Sequence, residues 1–80
     1  MELGEEISNF LKSELNLESI ELDACQADHP EWDSLSYFRI IAALETKYGI
    51  EITLENINKF NSITNIIHEI QRQKNNRWLL

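Results

Sequence analysis

The sequence predicts an all-α chain: a small four-helix bundle of three longer helices and one short helix, with a long loop between the first two. Three observations lead there. Apolar residues recur at helical spacing in three separate stretches. The later stretches begin at residues that cap helices well, Asp33 and Ser62. No alternating run has a second run to pair with, so a sheet is not expected. The 80 residues make one domain, near the lower limit for a self-sufficient core. The domain is expected over residues 1–74, with 75–80 a flexible tail.

The first helix is expected over residues 3–15. Leu3, Ile7, Phe10, Leu11 and Leu15 form one stripe, and Glu5 and Glu6 lie in the first turn, where the helix dipole favours negative charge. Residues 16–32 have no clear period. Such a long loop is often functional, and Leu17, Ile20, Leu22 and Trp32 are expected to pin it to the core.

The second helix is expected over residues 34–48, with Asp33 as N-cap and Gly49 as the left-handed stop. Leu35, Tyr37, Phe38, Ile40, Ile41, Ala42, Leu44 and Tyr48 cover more than half its circumference, which implies packing on more than one side. "GIEIT" is expected to be an extended link with Ile50 and Ile52 turned inward. Thr53 is expected to cap a short helix near 54–59, with Leu54 and Ile57 facing in. Ser62 starts the last helix, carried by Ile63, Ile66, Ile67 and Ile70 to about residue 73.

Charge narrows the partners. The formal net charge is -7, and residues 1–33 hold ten acids against Lys12 alone. Phosphate backbones repel such a surface, so nucleic acid is not an expected partner, and basic protein patches are. No apolar run has the length of a membrane span. The start "MELGEEISNF" lacks the basic segment of a signal peptide, and the single Cys25 has no internal partner for a disulfide. A soluble cytoplasmic protein is expected.

Little in the chain suggests catalysis or a metal. Cys25, His29 and His68 are fewer than the four ligands of a structural zinc site. His29, Asp33 and Ser34 are close in sequence, but triad members normally meet across a fold beside an oxyanion hole, and no glycine elbow surrounds Ser34. Ser34 itself admits a plain reading, since Asp-Ser is a common helix start. It also admits a chemical one. A first-turn serine holds its hydroxyl beside unpaired amides at the positive end of a helix, where an attached phosphate is stabilised.

The stretch "WDSLSYFRIIAALETKYGIEITLENINKFNSITNIIHEI" resembles the second half of an acyl carrier protein. The resemblance rests on Asp33-Ser34-Leu35 at the start of a helix, then "AALETKYGIEI", then "TLENINKF", then a helix begun by Ser62. It implies a four-helix fold of that type and a carrier rather than an enzyme. Ser34 would be the attachment residue for phosphopantetheine and Asp33 the acid before it. A phosphopantetheinyl transferase would supply the group from coenzyme A, using a divalent metal. Acyl or aminoacyl groups would ride as thioesters between loading and downstream biosynthetic enzymes.

By the same resemblance, Leu35, Phe38, Ile41, Tyr48, Ile52, Ile63 and Ile67 would line the interhelical core, where some members tuck acyl chains. Partners would dock at Leu35, Arg39 and Ala42, and the protein would be a monomer. Two departures point to a stand-alone carrier of a specialised pathway rather than the housekeeping fatty-acid type. Glu31 replaces a glycine common in the latter, and residues 34–48 carry a net +1 where those carriers present a row of acids. The other reading is a small acidic helical interaction module without a prosthetic group.

Overall fold

A computed structural model describes the backbone of residues 2–78 and the side chains through residue 74. The chain is an all-helical bundle: α1 (Leu3–Leu15), α2 (Ser34–Tyr48) and α3 (Ile63–Trp78), with single 3-10 turns at Gln26–Asp28 and Ile57–Lys59. α1 packs on both α2 and α3, and α3 also holds the 57–59 turn. No strand forms among the described residues, and no helix there is long and apolar enough to cross a membrane.

The helix ends follow local chemistry. The Asp33 carboxylate accepts the Ser36 amide at 2.9 Å, and Gly49 ends α2 with φ of 64°. The Ser62 hydroxyl accepts the Asn65 amide at 3.1 Å and opens α3. α1 ends at Asn16, with φ of 57°, where the Leu17 amide reaches back to the Lys12 carbonyl at 2.9 Å. Asparagine tolerates that left-handed position better than most residues.

The core joins Ile7, Leu11 and Leu15 of α1, Tyr37, Ile40, Ile41 and Leu44 of α2, and Ile63, Ile66 and Ile70 of α3. Trp32, Phe60, Ile50 and Ala24 close it from the connections. The extended link after α2 turns Ile50 fully and Ile52 partly inward, as expected. The long first loop is pinned as expected by Trp32, Leu17 and Ile20, but not by Leu22, which is exposed. Its end is tied to the start of α3 instead. Gln26 donates to the Asn61 carbonyl at 2.8 Å, and Ile63 donates to the Ala24 carbonyl at 3.1 Å.

Three expectations are corrected. α2 packs on one face, not several: its buried set recurs at i, i+3, i+4 and i+7, which leaves Leu35 (76% exposed) and Phe38 (56% exposed) on the outside. The short helix at 54–59 is a turn followed by one 3-10 turn, and Leu54 is exposed. The buried Asn56 side chain explains this. Its oxygen accepts the Thr53 amide at 2.7 Å and its nitrogen donates to the Glu51 carbonyl at 2.9 Å, so local side-chain bonds take the place of a helix ladder. Lastly, α3 runs to Trp78, past the expected end near residue 73. Gln71 to Trp78 contains neither Gly nor Pro, so the ladder continues beyond the last apolar stripe residue. Leu79 and Leu80, the end of the expected tail, lie outside the described residues.

Candidate functional site

Ser34 is the first helical residue of α2, directly after its N-cap. By helix geometry, the amides of Ser34 and Leu35 have no carbonyl four residues back to bond within the helix. The Ser36 amide is taken by Asp33, and that hydrogen bond holds the Asp33 carboxyl below its ordinary range. Ser34 is exposed. A hydroxyl is thus held in the open, at the positive end of a fifteen-residue helix.

Ser34 lines one side of a groove of about 290 Å³. Gln26, Tyr37, Phe38, Asn58 and Asn61 line the rest. The walls come from three places: the 26–28 turn, the first two turns of α2, and the segment leading into α3. The Gln26–Asn61 backbone bond ties the first wall to the third. The Tyr37 hydroxyl ties the second to the third by donating to the Ile57 carbonyl and accepting the Phe60 amide at 3.2 Å. Burial raises the Tyr37 pKa, and the Phe60 amide opposes that shift.

The expected pocket residues divide. Ile41 and Ile63 are buried, while Tyr48, Ile52 and Ile67 are half-buried at the margin of the core. Leu35 and Phe38 are not core residues, because they lie on the face of α2 turned from α1 and α3. Tyr48 instead closes the far end of the bundle, donating to Glu6 at 3.0 Å, and burial with that acid pushes its pKa up to about 12.

The expected docking residues fall on one face. Leu35, Arg39 and Ala42 are all exposed, and Phe38 joins them at helical spacing. Arg39 has a second role. Its guanidinium donates to the Glu14 carbonyl at 2.9 Å and lies 3.4 Å from the Glu14 carboxylate, clamping α2 to the end of α1.

Two of the residues that raised the metal question have ordinary partners. His29 pairs with Glu21, and Cys25 donates weakly to the Asp23 carbonyl at 3.6 Å. His68 stands on α3, in a separate recess with Lys59, Asn65, Glu69 and Arg72. Among the described residues, no group of three or more His, Cys, Asp or Glu is placed to hold a metal ion.

The groove residues Gln26, Asn58 and Asn61 escaped the sequence reading. Their signal was compositional: three asparagines, Asn56, Asn58 and Asn61, fall in the segment joining α2 and α3. Comparison with known proteins adds no relative, since no protein-family model, no curated protein and no solved structure matches this chain.

Proposed function

We propose that this chain is a carrier of the acyl carrier type that bears phosphopantetheine on Ser34. What supports the reading most is one arrangement: an exposed serine hydroxyl in the first turn of α2, capped by Asp33, opening onto a groove. The residues present fit the group. First-turn amides and the helix dipole suit its phosphate, carboxamides suit its amides, and Phe38 offers an apolar wall. In the attachment step the Ser34 oxygen forms a bond to phosphorus. The adenine-nucleotide half of coenzyme A leaves, and the serine proton passes to a base on the transferase. When bound, the group supplies a thiol whose thioesters are reactive acyl donors. Cargo is loaded and unloaded by partner enzymes, so the chain acts as substrate and shuttle rather than catalyst. The departures at Glu31 and along α2 favour partners of a specialised pathway.

The second reading, an interaction module without a prosthetic group, draws on the exposed Leu35, Phe38 and Ala42. One experiment separates the two. The chain is incubated with coenzyme A, magnesium and a broad-specificity phosphopantetheinyl transferase, and its intact mass is measured. The carrier reading expects a gain of one phosphopantetheinyl unit that is absent in Ser34→Ala. An unchanged mass, or a gain that survives the substitution, overturns it and leaves the interaction module.

A further inference from the structure

We propose that the groove lined by Gln26, Tyr37, Phe38, Asn58 and Asn61 is the seat for an amide-bearing chain attached at Ser34, so that a short or polar cargo is held outside the bundle. The inference rests on the carrier reading and deepens it by naming the class of cargo. Four observations carry it.

Ser34 is itself part of the groove lining, so a chain growing from its oxygen starts inside the groove. The lining chemistry is selective. Three carboxamides offer donors and acceptors together, which is what a chain of amides separated by methylenes requires. The Gln26 and Asn58 side chains make no hydrogen bond to other described residues in this structure. Asn61 is pre-oriented, because its oxygen accepts the Asn65 side-chain amide at 3.0 Å while its own amino group remains to donate.

The groove is also pre-formed. The backbone bond of 2.8 Å from Gln26 to Asn61, and the antiparallel bridge between Cys25 and Ser62, fix the distance between two of its walls. A pre-set wall spacing lowers the ordering cost of seating a flexible chain.

The alternative route is shut. A chain entering the core between α2 and the 57–60 segment must displace the Tyr37 hydroxyl from both Ile57 and Phe60. Behind it stand Phe60 and Ile63, both fully buried, and Ile41 at 5% exposure. Opening that seam leaves a buried amide and carbonyl unpaired. Leu35 and Phe38, two of the seven residues expected to line an internal pocket, face outward. A long apolar chain therefore has no ready interior seat, and a short or polar one has a hydrogen-bonding seat outside.

The test uses the full chain, labelled with nitrogen-15 and with carbon-13 at the isoleucine methyl groups. It is converted to the phosphopantetheinyl form, then loaded with an acetyl or an octanoyl group, with each step checked by intact mass. The expected result is that the side-chain amide signals of Gln26, Asn58 and Asn61 shift on attachment and show proximity to the arm's methylenes. The methyl signals of Ile41 and Ile63 stay in place with either cargo. Asn58→Ala, a change at an exposed position, is expected to weaken the arm's contacts with Gln26 and Asn61 once the variant has been modified to completion, and contacts unchanged from the wild type overturn the inference. Full modification with unmoved amide signals overturns this inference alone. So does an octanoyl cargo that displaces the Ile41 and Ile63 signals. Absence of any mass gain at Ser34 overturns the carrier reading and this inference with it.

Discussion

The Tyr37 hydroxyl of α2 accepts a hydrogen bond of 3.2 Å from the backbone amide of Phe60, and so holds the start of that helix against the segment leading into α3. The same hydroxyl donates to the Ile57 carbonyl. Tyr37→Phe keeps the ring and removes both bonds, leaving a buried amide without its acceptor. The expected loss of stability is about 1–3 kcal/mol. Urea unfolding checks it: the midpoint should fall while the slope stays constant. An unchanged midpoint means that the hydroxyl does not hold this seam.

Asp33 governs the start of α2 through its bond to the Ser36 amide. Asp33→Ala is expected to lower the thermal midpoint and fray the first turn around Ser34. Asp33→Asn should restore most of the loss, since asparagine caps nearly as well. The pH dependence has a definite sign. The Ser36 amide holds the carboxyl below its ordinary value, so the contribution is present above that value and lost as pH falls through the depressed one. Thermal melts of the wild type and Asp33→Asn across the acid range test this, and parallel curves would sink the idea.

Leu35 and Ile41 are both large and apolar on α2, yet they should respond oppositely to substitution. Leu35 is 76% exposed and Ile41 is 5% exposed. Leu35→Ser should change stability by no more than about 0.5 kcal/mol, whereas Ile41→Ala should cost about 2–5 kcal/mol. Chemical denaturation of the two variants decides it. A large loss at Leu35 would mean that this face of α2 is packed rather than open.

What the sequence made legible was what local chemistry controls. Asp33, Gly49 and Ser62 announced the helix boundaries because capping depends on a few neighbouring atoms. The α1 stripe was readable because its apolar residues are just enough for one face. α2 was misread because it carries more apolar residues than one packed face can take. No spacing rule says which of Leu35 and Ile41 is left outside, and that is decided by where α1 and α3 lie. The 54–59 segment was misread because the Asn56 side chain reaches both Glu51 and Glu69. The groove was invisible for a related reason. Its walls meet through Gln26 and Asn61, which are far apart in the chain, and an asparagine facing a groove reads the same as one in solvent.

Trp32 immediately precedes the Asp33 cap and is 1% exposed, and its indole nitrogen has no hydrogen-bond partner among the described residues. Removing the whole ring should therefore hurt far more than removing the N–H. Trp32→Ala is expected to cost about 3–5 kcal/mol. Trp32→Phe should cost about 1 kcal/mol, because the smaller ring loses packing while an unpaired buried donor disappears. Urea unfolding followed by far-UV circular dichroism gives both values. Equal losses would show that the indole N–H has a partner in solution.

Glu69 is buried on α3, and its carboxylate gathers three side chains, two from α3 and one from the turn at 54–56. Arg72 pairs with it most strongly, Asn56 donates to it at 3.0 Å and Gln73 at 3.2 Å. Gln73 and Asn56 in turn bind the Glu51 carbonyl, and Gln73 also accepts the Glu51 amide at 2.7 Å, so the link after α2 is tied to α3 directly by Gln73 and through Asn56 by Glu69. The Arg72 hydrogen bond dominates. With the amides of Asn56 and Gln73 it outweighs the cost of burial and lowers the Glu69 pKa to about 2 from an ordinary 4.5. A depressed carboxyl stabilises the fold at pH above its unfolded value, and that contribution is lost as pH falls from there through about 2. Glu69→Gln removes the charge and keeps an acceptor. The expected cost at neutral pH is about 2–3 kcal/mol, with Arg72 left to solvent and a weaker bond to Asn56. The variant should also lose the part of the wild type's stability change between pH 4.5 and 2 that Glu69 carries, so its urea midpoints should fall less steeply with pH. If its acid profile still runs parallel to that of the wild type, another carboxylate carries the acid sensitivity.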